Sequence, residues 1–267
     1  MHYLFGIPPI LMFLLFTICG VVFYIVGLVF LKIFGKQASK DILSLPIGAF
    51  IGTIATAWAL ALGFVAADTW AVNSRADQAA SEERSSITRL IGMARPEALN
   101  DPLLLKALTT YRVSVITDEW HKGYNNQPAR AVEESLQNIR IAMIALSRTD
   151  ISGALMSQMV QDFDEMQDAR NKRLALGSSS VNHYKWYLVF FLTLLSLVVI
   201  AAVHADRPKA GRKALGIYIV TAVMSMWILA IHASPYRGAG RIEPSVLFTS
   251  QRGAQSLPEA FHTREPS

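Results

Sequence analysis

The sequence predicts an all-α polytopic membrane protein, with four transmembrane helices and a helical-bundle insert between the second and third. Three observations carry that class. Residues 1–31, 42–67, 186–205 and 214–236 contain no Asp, Glu, Lys or Arg, and about 20 apolar residues cross a hydrocarbon core. Charged residues make up 17% of the chain, against about 25% in ordinary soluble domains. Between the middle stretches, apolar residues recur at alternating steps of three and four, the period of amphipathic helices rather than of strands.

The first stretch reads as a retained helix. No Lys or Arg precedes its apolar run, and the run exceeds the roughly 7–15 residues of a signal-peptide core. Cys19 is the sole cysteine, which rules out an intrachain disulfide and a cysteine metal cluster. It reads as an apolar packing residue. Lys32, Lys36 and Lys40 then mark a short loop.

The second span starts near Pro46. No glycine or proline lies between Gly63 and Gly92, so the helix is expected to run on to Ala94. At 1.5 Å per residue that is about 70 Å, of which the hydrocarbon core uses about 30 Å. Asp68, Trp70 and Arg75 mark the exit, with Trp70 suited to the membrane interface. Within the span, Gly48, Gly52, Thr53, Thr56, Ala59 and Gly63 form a small-residue face. Such a face lets helices approach closely in lipid; the other reading is that it lines an ion path.

Beyond the membrane the chain reads as a helical stalk or bundle. Leu104, Leu108, Tyr111 and Val115 make one stripe, and Val132, Leu136, Ile139, Met143 and Leu146 a second. Leu155, Met159, Phe163, Met166, Arg170 and Leu174 make a third. "NDP" at 100–102 caps and starts one helix, Thr149 and Asp150 are expected to start another, and "KGYNNQP" at 122–128 turns between helices. The segment 162–173 would return to the membrane as the wall opposite the second helix. It ends in "MQDARNKRL", where Arg170, Lys172 and Arg173 sit just before the third span. They read as lipid-phosphate contacts at a solvated helix end, or as residues that attract anions to a pore mouth.

The divisions expected are therefore a first transmembrane hairpin at 1–67, the stalk at 68–183 and a second hairpin at 184–233. A tail follows at 234–267, flexible after 247. The net charge of +5 does not point to nucleic acid. Acids slightly outnumber bases in 68–183, and the basic excess lies in loops and tails beside the membrane. Lys32, Lys36 and Lys40 in one short loop, and Arg207, Lys209, Arg212 and Lys213 in the other, place those loops in the cytoplasm by the positive-inside rule. The stalk is then extracytoplasmic, in a bacterial inner membrane.

No span carries a central acid or base, which argues against proton-coupled transport and voltage sensing. The six histidines are scattered without metal-ligand spacing. No nucleophile elbow, phosphate loop or dinucleotide fingerprint is present. The expectation is a protein that is not an enzyme, with no catalytic, cofactor or metal site.

Several segments together resemble the bacterial bestrophin-like domain proteins. They are "LGF" at 62–64 running into an Arg- and Ala-rich helix, "YRVSVITDEW" at 111–120 and "DARNKRL" at 168–174. A third span opening at Trp186 follows, then "SPYRGAGRIEPSVL" at 234–247. The residues that carry the likeness include Glu119, Trp120, Asp168, Arg170, Arg173, Leu174, Pro235, Gly238 and Pro244. The resemblance spans roughly residues 10–247 and implies four spans with a helical insert. It also implies a distant kinship with bestrophins, which are oligomeric anion channels. The chain departs from bestrophins in lacking an acidic calcium-binding cluster and in the side of the membrane that its lysine loops favour. A homo-oligomeric, anion-channel-like protein in contact with membrane lipid is the leading expectation. A non-conducting scaffold or sensor, whose stalk binds a partner, is the other.

Overall fold

The computed structural model describes residues 7–38, 47–178 and 183–248. Among these residues seven α-helices follow one another: α1 (Pro9–Ala38), α2 (Ile47–Ala94), α3 (Pro102–Ser114), α4 (Arg130–Leu146), α5 (Gly153–Ser178), α6 (His183–Val203) and α7 (Pro208–Ile231). A π-helical turn (Val115–Lys122) continues α3, and a short 3-10 turn (Pro244–Leu247) closes the described chain. α1, α2, α6 and α7 are long and apolar enough to cross a membrane. No strand occurs among the described residues. Lys40, Pro46 and the end expected to be flexible, from 249 onward, lie outside the described residues.

α2 is one helix of 48 residues, about 72 Å long, and it ends where Pro96 can no longer continue the hydrogen-bond ladder. The chain forms two compact units, Met1–Ala76 with Ala175–Arg241, and Asp77–Leu174 with Ile242–Ser267. α2 and α5 each contribute to both. The divisions read from the sequence mark where apolar character stops.

In the first unit α1 packs between α6 and α7. Leu31, Leu197, Leu215, Ile219 and Val223 form one apolar cluster. Met12, Ala61, Val65, Trp186, Val189 and Met226 belong to another. Close approaches in this unit are made by glycines of α1 and by Gly211 of α7, where a side-chain carbon would stand 2.9 Å from Leu31. A side-chain carbon at Gly20 would overlap Val223 and Ile219, and one at Gly27 would stand 3.1 Å from Leu215. Close backbone approach replaces bulky side chains in this seam. α2 leans on the second cluster through Ala61 and Val65, and Trp58 Nε1 donates to Thr193 Oγ1 at 2.9 Å. Past α7 the chain folds back on α2: Tyr236 Oη donates to the Ala76 carbonyl at 3.2 Å, and Asn73 Nδ2 to the His232 carbonyl at 2.8 Å.

The second unit is a helical bundle. Its stripes face inward as their spacing predicts: Leu104, Leu108, Tyr111, Val132, Ile139, Met159 and Met166 are all fully buried. Asp101 caps α3, accepting from the Leu103 and Leu104 amides, with Pro102 in the first turn. The start expected at Thr149 and Asp150 falls later. α5 begins at Gly153, and Ser152 Oγ accepts from the Leu155 amide, while Thr149 turns its hydroxyl back to the Leu146 carbonyl.

Candidate functional site

Two features of the fold could carry function, and each lies within one unit. The first is the small-residue face of α2. Ala61, Val65 and Thr69 are buried, whereas Gly52, Thr53, Thr56, Ala59 and Gly63 are exposed. Among the described residues, a side-chain carbon added at Gly52 or Gly63 would meet nothing within 4 Å. The two sets fall on opposite sides of the helix, as 3.6 residues per turn requires. The small face is therefore not what packs α2 onto its own chain. The side-chain surroundings at Gly48 lie outside the described residues.

The second feature is a buried ion cluster in the bundle. Arg173 is 0% exposed. Its Nε donates to Glu83 at 2.6 Å and its Nη2 to Glu119 at 2.9 Å, and its Nη1 donates to Asn125. Arg170 donates from Nε to Glu119 at 3.1 Å and from Nη2 to Glu133 at 2.8 Å. Tyr111 Oη donates to Glu83 at 2.8 Å. Two fully buried carboxylates thus face two guanidiniums, so the core of the cluster is electrically neutral. Burial alone would weaken the charge of Arg173, but Glu83 and then Glu119 outweigh it and hold the guanidinium charged. Arg170 behaves alike, burial opposed mainly by Glu119. Burial, and next the Glu83 charge, push the Tyr111 phenol well above its ordinary range, so it remains a donor.

Local backbone structure aims these groups. The π-helical turn fits an extra residue into a helical turn, and such turns recur at functional positions. Here it carries Glu119 and Trp120 inward. Glu119 Oε1 also accepts from the Ala129 amide at 3.1 Å, just ahead of α4, where the helix dipole favours negative charge. Asn125 takes a left-handed φ of 54°, a conformation asparagine tolerates. Its amide donates to the Glu119 carbonyl at 2.7 Å. Trp120 lies under the Arg173 guanidinium, 5.4 Å away, and donates from Nε1 to the Ile242 carbonyl at 3.2 Å.

α2 and α5 run antiparallel here. Glu82 and Glu83 meet Lys172 and Arg173, and further along Arg89 meets Asp162 and Glu165. This is the pair of walls expected from the sequence. The three basic residues of "MQDARNKRL" divide, however. Lys172 faces solvent and pairs with Glu82 at 3.3 Å, but Arg170 and Arg173 turn inward onto carboxylates. Neither arginine is placed to meet a lipid phosphate or a passing anion from the surface of the unit.

Four of the nine residues singled out by motif converge on the cluster. Glu119, Trp120, Arg170 and Arg173 are its members, and Leu174 is buried beside Arg173 in sequence. Asp168 lines an open groove with Lys172. Pro235 and Gly238 belong to the first unit, where Gly238 adopts φ 80°. Pro244 starts the 3-10 turn of the second. Glu83, Asn125 and Glu133 were not foreseen. Glu83 had a signal: it continues the buried series Ala76, Ala79, Ala80, Ile87 and Leu90, so an acid stands where the helical period calls for an apolar residue.

Four helices long and apolar enough to span a membrane, with a helical bundle continuing from the second, define a polytopic helical membrane protein. The Bestrophin-like domain family model matches residues 9–247, and the chain belongs to that family. Among solved structures, it is similar to a point variant of a bacterial bestrophin homolog from Klebsiella pneumoniae. The TM-score is 0.65 at 13% identity, over 88% of this chain and 96% of that one. It is also similar to a point variant described as a membrane protein, with TM-score 0.66 at 11% identity over 85% and 94% of the two chains. At these identities the likeness is one of fold. No curated protein matches the chain.

Proposed function

We propose that this protein assembles with copies of itself into a channel-like complex for small anions, with the small face of α2 toward the axis. The observation that carries the reading is the openness of that face. Gly52, Thr53, Thr56, Ala59 and Gly63 are uncovered in the single chain. Four spans without central charges cannot enclose a hydrated path alone, so a path has to lie between copies. Hydroxyls and backbone dipoles on such a face suffice to line one. Family membership supports the same reading, because bestrophins are oligomeric anion channels. Lys32 and Lys36 at the end of α1, with Arg207, Lys209, Arg212 and Lys213 around the start of α7, favour a cytoplasmic side for these helix ends in a bacterial inner membrane, with 68–183 outside.

A second reading has its own support. Ile141 and Ile144 on α4 are 55% and 50% exposed, an apolar pair on the bundle that fits a non-conducting scaffold or sensor with a docked partner.

The test is anion flux into liposomes holding cross-linked wild-type oligomer. A side-chain carbon at Gly52 meets nothing within 4 Å among the described residues, so with Gly52→Leu the monomer should fold normally while assembly and flux fall. Ile54→Leu, on the opposite side, should conduct as wild type does. A strict monomer in membranes refutes the channel reading. Oligomers that pass no anion across pH, voltage and calcium leave the scaffold.

A further inference from the structure

At the loop end of the first unit, α1, the α6–α7 turn and the start of α7 form an open pocket of about 820 Å³ lined by Lys32, Lys36, Asp206 and Arg212 together with Leu28 and Leu31. Among the described residues, Lys32 and Arg212 bring two further cations to this lining beside a single carboxylate. That carboxylate already has a cationic neighbour, since Arg207 Nε lies 3.4 Å from Asp206. α7 begins at this pocket with Pro208, and the positive end of its helix dipole adds to the field.

The same seam continues down both helices. A second, almost wholly apolar groove of about 300 Å³ lies between Thr17, Val21 and Tyr24 of α1 and Gly216, Val220 and Met224 of α7. Steps of three or four residues lead from Tyr24 to Leu28 and Lys32 on α1, and from Gly216 to Arg212 and Pro208 on α7. Each helix therefore presents one face to both grooves. Tyr24 stands at the junction, its hydroxyl 3.4 Å from the Arg212 carbonyl. Gly216 leaves the apolar groove open, because a side-chain carbon there would meet only the Tyr24 ring at 3.9 Å.

We infer that the α1–α7 seam is a binding site for an anionic phospholipid, its phosphate held by Lys32 and Arg212 and one acyl chain lying along Tyr24, Gly216 and Val220. A basic mouth continuous with an apolar trough matches the two halves of such a lipid. A neutral lipid satisfies only the trough, and a soluble phosphate ester only the mouth. Basic pockets between transmembrane helices recognise anionic headgroups by this charge match. The site stands whether or not the protein conducts.

The test uses the full-length protein in detergent, titrated with dioleoyl phosphatidylglycerol or dioleoyl phosphatidylcholine, with bound lipid counted by native mass spectrometry. The wild type should retain the anionic lipid more tightly. Lys32→Gln and Arg212→Gln should each weaken it about fivefold, the effect of one cation near a charged headgroup. Lys213→Gln removes the same charge one residue away but outside the pocket lining, and should leave retention unchanged. Gly216→Leu, which fills the trough, should weaken both lipids. Equal loss from all three charge variants, equal retention of the two lipids, or displacement of the lipid by glycerol phosphate would each overturn the site. Unchanged binding in Gly216→Leu would overturn the seating of the acyl chain.

Discussion

Arg173→Met tests whether the bundle is organised around its buried charges. The substitution keeps an unbranched side chain but strips Glu83 and Glu119 of a shared partner, and both carboxylates are 0% exposed. Removing one member of a buried ion pair costs about 3–5 kcal/mol, because the remaining charge is left without compensation in a low dielectric. For a chain of this size each kcal/mol lowers the melting temperature by roughly 2–4 °C. The expected fall is therefore about 6–20 °C, read by circular dichroism on purified protein in detergent. Adding Glu83→Gln should restore at least half of it. The double variant keeps an acceptor for the Tyr111 hydroxyl, and Glu119 retains Arg170 and the Ala129 amide. Lys172→Ala, which loses only an exposed pair with Glu82, should change stability by about 0.5 kcal/mol or less. A cost below about 1 kcal/mol for Arg173→Met would refute the reasoning, as would a double variant no more stable than the single.

Two further outcomes follow from the first unit and from the charge pattern. Gly20→Leu drives a side chain into Val223 and Ile219 and should destabilise the hairpins by about 1–3 kcal/mol, the usual cost of overpacking; a melting temperature equal to wild type would show that α1 and α7 do not meet there. For orientation, single cysteines at Lys36 and Gln137 in a Cys19→Ser background should respond oppositely to an impermeant thiol reagent on intact cells. Labelling at 137 with protection at 36 is expected, and the reverse pattern would place the bundle in the cytosol.

The four spans, the uninterrupted α2 and the all-α class were legible because each depends on composition or on a local period. A charge-free run of sufficient length has one stable solution in lipid, and an unbroken helical pattern without glycine or proline has no reason to stop. The inward stripes of α3, α4 and α5 were legible for the same reason. "DARNKRL" was equally visible as sequence, but its meaning was not. Arg170 and Arg173 look like a basic helix end until Glu83, from a helix 90 positions earlier, and Glu119, turned inward by a π-helical turn, are brought against them. Long-range pairing of charges has no local signature, and a π-turn none in composition. Only the tertiary structure decides whether an arginine faces water or a carboxylate. The small residues teach the same lesson in reverse. The stripe on α2 marked a face able to meet another helix, but the close approaches are made by Gly20 and Gly27 of α1 and Gly211 of α7, and no described residue covers Gly52 or Gly63 of α2. Sequence determined which faces could pack; which of them found a partner within the chain was decided by the geometry of helices packed around α1, since one helix presents more apolar surface than its neighbours can cover.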